Sequence, residues 1–192
     1  MHSRPLIIWL LTCLAVASPR AALARQVGGG ESNGIKSIDF ANLAFPAKPV
    51  TGERRTFQLH NGRYRDPEDA GGRVTGVWLD LVDVEYADLT RDGNDDAIVV
   101  LDWVTGGSAM PTVVYVYAMR AGQPVMLWGF TTGDRADGGL RSVSAERGEL
   151  VVEIFSPKGK TADCCPVAYV RTRYRWVRGA FRRVSRTGLL AL

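Results

Sequence analysis

One run of nine residues concentrates most of the chemistry in this chain: Asp88-Leu89-Thr90-Arg91-Asp92-Gly93-Asn94-Asp95-Asp96. Oxygen donors at the first, third, fifth and ninth positions, with glycine sixth and a backbone carbonyl seventh, can wrap a hard cation. Asp88, Thr90, Asp92 and Asp96 fill the side-chain positions, Gly93 allows the sharp turn, and Asn94 offers its carbonyl. Ca2+ suits such a set because it accepts six to eight oxygens in loose geometry. Crowded carboxylates repel, and a divalent ion relieves that repulsion. The loop is not an EF-hand, since Val99 stands where that motif needs a bidentate Glu. The same residues also suit a tight Asx turn with solvated acids and no ion. Both readings stay open.

The second candidate is Cys164-Cys165, directly before Pro166. In an oxidising compartment the pair can form a vicinal disulfide, stay as free thiols or bridge to another molecule. A vicinal ring closes almost no loop and gains little chain entropy, so its expected role is a rigid turn. No Cys-x-x-Cys redox motif is present and no histidine lies nearby. Enzyme signals are poor elsewhere. There is no Gly-x-Ser-x-Gly, His-Glu-x-x-His or phosphate loop, and His60 is the one histidine beyond residue 24.

These residues need strands to position them. From Ser37 onward the apolar residues come in short runs with a period near two, or run apolar on both faces. Residues 97–101 and 112–119 read as central strands covered on both sides. Val77, Leu79 and Leu81 alternate, then the phase slips to Val82, Val84 and Tyr86, which predicts a β-bulge near Leu81-Val82. Asn61-Gly62, Ala121-Gly122, Arg147-Gly148 and Arg178-Gly179 mark hairpin turns. The fold class expected is all-β, mainly antiparallel: one meandering domain over residues 37–192 that forms a sandwich or partial barrel.

Residues 1–24 read as a secretory signal peptide. Arg4 precedes a twelve-residue apolar stretch, residues 6–17, and Ala22-Leu23-Ala24 supplies a small-x-small cleavage site. That stretch is short of the ~20 residues a membrane-spanning helix needs. Cys13 lies inside it and lacks the small residue before it that lipoprotein processing wants. Residues 25–36 read as a flexible tether. Loss of Arg4 and Arg20 leaves 22 bases against 20 acids, a net +2. An exported, nearly neutral chain argues against a nucleic-acid partner.

Charge is nevertheless segregated. Residues 66–102 hold eleven acids and two bases, whereas residues 134–192 hold twelve bases and six acids. The expectation is that the two segments attract each other. Arg171, Arg173 and Arg175 alternate with Thr172, Tyr174 and Trp176, so arginines share one strand face and aromatics the other. The basic face suits an anionic lipid or polysaccharide, or simply protects an outer face and edge. Asp134 and Asp137, around Gly133 and Arg135, suit a polar turn.

The spacing of residues 88–96 resembles the Asp-rich strand-joining loop of FG-GAP and VCBS-type β-proteins, with Thr90 in place of a stronger ligand. Taken in order, residues 86–97, Thr105-Gly106-Gly107-Ser108, Gly133-Asp134-Arg135 and Cys164-Cys165-Pro166 resemble a set of exported bacterial proteins without assigned activity. The likeness covers about residues 57–185, with Ala87 and Arg91 replacing the loop's two glycines. It implies an exported, β-rich single domain and brings no catalytic residues across.

The function expected is therefore a periplasmic or secreted, non-enzymatic β-domain, not integral to the membrane, that binds an envelope component or a protein partner. Its loop at 88–96 would be a calcium-type structural site. The alternative is a carboxylate-dependent hydrolase of cell-wall or polysaccharide material.

Overall fold

The computed structural model describes residues 34–66, 76–104, 110–133, 138–157 and 166–192. The expectations for the signal peptide, for residues 25–33 of the tether, for Thr105–Ser108, for the Asp134–Asp137 turn and for Cys164 and Cys165 lie outside these residues.

The strands are antiparallel throughout and form two stacked five-stranded sheets in a sandwich-like half-barrel. The first runs β3 (Arg63–Arg65), β4 (Trp78–Ala87), β5 (Asp96–Val104), β6 (Thr112–Arg120) and β7 (Gln123–Thr131) in that order. The second runs β11 (Ala180–Arg186), β10 (Ala168–Val177), β9 (Glu149–Phe155) and β8 (Leu140–Glu146), with β12 (Leu190–Ala191) paired to β10. A small two-stranded sheet joins β1 (Ala44–Pro46) to β2 (Thr56–Gln58), with the short α1 (Lys48–Thr51) between them. Among the described residues no helix is long and apolar enough to cross a membrane.

Strand β5 is central, and both its faces are buried. Ala97, Val99, Leu101 and Trp103 face one core, together with Phe40, Phe45, Phe57 and Leu59. Ile98 faces a second core between the sheets, with Val114, Val116, Leu150 and Val152. Burying each large apolar side chain contributes about 1.5–3 kcal/mol, so the two-faced strands anchor the domain. Residues 35–59 thus form a third layer over the first sheet. Ile35, which the sequence places in the tether, is only 1% exposed within that layer.

The bulge falls where the phase slip puts it. The β4–β5 register shifts between Leu81 and Asp83, leaving Val82 exposed while Val84 and Tyr86 pack on the first core. The hairpin turns put both residues at positive φ: Ala121 and Gly122 at 49° and 76°, Arg147 and Gly148 at 54° and 72°. That is the backbone twist two-residue hairpins favour. The turn at Asn61-Gly62 forms, closed by a His60–Arg63 bridge, but β2 and β3 go on to different partners, β1 and β4.

Candidate functional site

The loop at 88–96 joins β4 to β5, and its side chains fold back onto its own backbone. Both Asp88 carboxylate oxygens are used: Oδ1 accepts from the Asp92 amide at 3.1 Å and Oδ2 from the Gly93 amide at 3.0 Å. Asp92 Oδ1 accepts from the Asn94 amide at 3.0 Å and from its side-chain nitrogen at 3.1 Å. Asp96, 1% exposed, accepts the Leu89 and Thr90 amides on Oδ2 at 3.0 and 2.8 Å. The Thr90 hydroxyl lies 3.5 Å from Asp96 Oδ1. Each bond satisfies an amide that a tight loop would otherwise leave without a partner.

Two cations of the chain complete the loop. Arg120, at the end of β6, donates to Asp92 Oδ2 at 2.8 Å. Lys36 reaches Asp95 at 2.5 Å. Arg91 takes up a left-handed conformation, φ 59°. Its guanidinium donates to the Arg147 carbonyl at 3.0 Å, crossing to the β8–β9 turn. Glu85 makes a parallel tie, accepting the Ala145 amide at 3.1 Å. The loop is therefore also a joint between the two sheets.

The electrostatics follow from this layout. Hydrogen bonds from Arg120 and from the Asn94 amide hold the Asp92 carboxyl down at about 2. Burial pushes the Asp96 carboxyl above its usual range; the Thr90 and Leu89 bonds pull the other way, and the Asp92 charge adds to the rise.

Asp88, Thr90, Asp92, Asn94 and Asp96 all sit within this one loop, as their spacing implies. Their donor types suit a hard cation. Among the described residues no group of three or more His, Cys, Asp or Glu side chains is gathered as a metal centre. The oxygens that would turn to an ion instead hold amides and Arg120.

The arginine strand β10 divides as expected. Tyr174 packs on Trp128 with ring centroids 4.8 Å apart, and Trp176 on Phe181 at 5.0 Å. On the other face Arg171 reaches Glu153 at 2.6 Å, Arg173 pairs with Glu146, and Arg175 meets Glu149 at 2.5 Å. Glu153 also accepts from Ser142 at 2.8 Å and from Arg141. Burial alone would raise the Glu153 carboxyl, but the bonds from Ser142, Arg171 and Arg141 outweigh it, and the net shift is down.

Among the described residues no ion pair joins the acidic segment 66–102 to the basic segment 134–192. Among the described residues, Asp66, Asp80, Asp92 and Asp95 pair with Arg55, Arg63, Arg65, Arg120 and Lys36. The β10 arginines find their acids on the adjacent β8–β9 hairpin instead. That glutamate ladder escaped sequence reasoning because it depends on strand register; the even spacing of Glu149 and Glu153, which puts both on one face of a strand, was its visible trace. One strand further out, Arg178, Arg182, Arg183 and Arg186 have no carboxylate partner among the described residues.

A cavity of about 480 Å³ opens at one end of the second sheet, and among the described residues no carboxylate lines it. No protein-family model matches the chain, and no curated protein matches it either.

Proposed function

We propose that the chain is an exported β-domain, periplasmic or secreted, that works by binding and not by catalysis, with an anionic envelope component as its partner. One contrast carries this reading. The acids of the loop and of the β8–β9 hairpin are all engaged in holding the fold, whereas the arginines of the edge strand β11 pair with no acid among the described residues. Uncompensated cations along an exposed edge attract polyanions through a salt-sensitive field. The leader-like residues 1–24 support export.

Co-sedimentation tests the reading. The protein should bind vesicles of anionic phosphatidylglycerol at low salt, release at 0.5 M salt, and ignore phosphatidylcholine. Replacing Arg182 and Arg183 together by Ser should weaken binding. Salt-independent binding, or none, contradicts the reading, and release of sugars from cell-wall polysaccharide would move it to the hydrolase.

The loop serves this domain as a structural clamp closed by Arg120 and Lys36. Calcium is the competing reading, favoured by one observation: the charge of Asp92 raises Asp96, and a divalent ion would relieve that load. Asp88, Thr90, Asp92, the Asn94 carbonyl and Asp96 would then hold the ion, which would add rigidity and no chemistry. Calorimetric titration separates the two. Heat with a saturating 1:1 calcium isotherm supports the ion, and a flat trace supports the clamp.

A further inference from the structure

The cavity at the end of the second sheet is lined by Ile154, Phe155, Val170 and the exposed Leu189, together with Thr172 and Arg186. Ile154 also packs against the second core, so the cavity adjoins one end of that core. Arg186 points to the core side of its strand, as Arg183 does through its pairing with Tyr174. It pairs across β10–β11 with Thr172, and Thr172 pairs across β9–β10 with Val152, which is buried in the second core. Directly paired residues point to the same side of a sheet. Arg186 therefore projects from the core side of the edge strand, is solvent-exposed at the opening, and has no carboxylate to pair it among the described residues.

A volume of about 480 Å³ falls within the range of small-molecule sites. Apolar walls with one unneutralised guanidinium complement one kind of ligand. We propose that this opening binds a small amphipathic anion, an apolar chain ending in a carboxylate or a phosphate, with Arg186 holding the anionic head. Thr172 adds a hydroxyl at the same edge. Of the β11 arginines, Arg182 pairs with Arg175 on the outer face, and small-anion binding at this opening does not depend on envelope binding.

Calorimetric titration with decanoate and with decyl phosphate, both below their micellar concentrations, tests the proposal. Saturable 1:1 binding of at least one is expected, and which one binds identifies the head group. Arg186→Met should weaken it about tenfold or more, the scale of a lost hydrogen bond to a charged group. Arg186→Lys should keep most of it, and uncharged methyl decanoate should bind the unaltered protein more weakly. If Arg186→Met fails to fold, the Arg186→Lys variant and the methyl ester still decide. Absence of saturable binding overturns the proposal, as does equal binding by Arg186→Met or by the ester. Self-association of Arg186→Met, with no binding by the unaltered protein, would make the arginine an edge guard only.

Discussion

Arg120 and Asp92 meet at 2.8 Å, so the end of β6 supplies a cation to the loop between β4 and β5. Both side chains are partly exposed, so the pair is worth no more than about 1 kcal/mol and weakens with salt. Arg120→Met should lower the melting temperature by a few degrees at low salt and by less at 1 M salt, read by circular dichroism. The pH limb has a definite sign. The Asp92 carboxyl is held at about 2 in the folded chain, below its ordinary 3.8. Its stabilisation is present above 3.8 and is lost as pH falls towards 2. Arg120→Met should flatten that acid limb.

Asp96 behaves in the opposite way. Its folded carboxyl is raised above 3.8, mainly by burial, so its pH-linked contribution is greatest in acid and fades as pH rises through the folded value. Its bonds to the Leu89 and Thr90 amides act regardless. Asp96→Ala strands two amides and should cost about 2–4 kcal/mol in urea unfolding at pH 7. Asp96→Asn, which keeps one acceptor oxygen, should cost less and remove the acid-side gain.

Glu153 is a buried carboxylate among Arg141, Arg171 and Ser142. Its folded carboxyl lies below its ordinary 4.5, so its stabilisation is present above 4.5 and is lost as pH falls. Glu153→Gln should cost about 1–3 kcal/mol at pH 7 and little at pH 3, measured by denaturant unfolding at both values. An equal cost at both pH values would show that charge is not what the ladder uses.

Gly138 and Gly93 both hold positive φ, at 112° and 86°, but their surroundings differ. A methyl group at Gly138 would fall 1.8 Å from the Phe155 carbonyl oxygen, whereas at Gly93 it would meet nothing within 4 Å. Gly93→Ala should cost only its backbone strain, about 1 kcal/mol, and Gly138→Ala clearly more. Thermal melts of the two variants check the order.

The reach of the sequence has a physical boundary. Strands β5 and β6 were legible because burial on both faces leaves a continuous apolar run. The bulge was legible because a phase slip at Leu81-Val82 has no other simple cause. The layer over the first sheet was not: Ile35, Phe40 and Phe45 lie in irregular or very short segments and carry no period. In the loop, the positions of Asp88, Asp92 and Asp96 were visible, but their partners were not. Backbone amides are the same at every residue, and Arg120 lies 28 residues from Asp92 in sequence.

Amide hydrogen exchange at Leu89, Thr90, Asp92 and Gly93 bears most directly on how the loop closes. With chelator present, these four amides should already exchange slowly, because the Asp96 and Asp88 carboxylates hold them, and added calcium should leave their rates unchanged. Fast exchange in chelator that slows only when calcium is added would contradict closure by the chain's own charges.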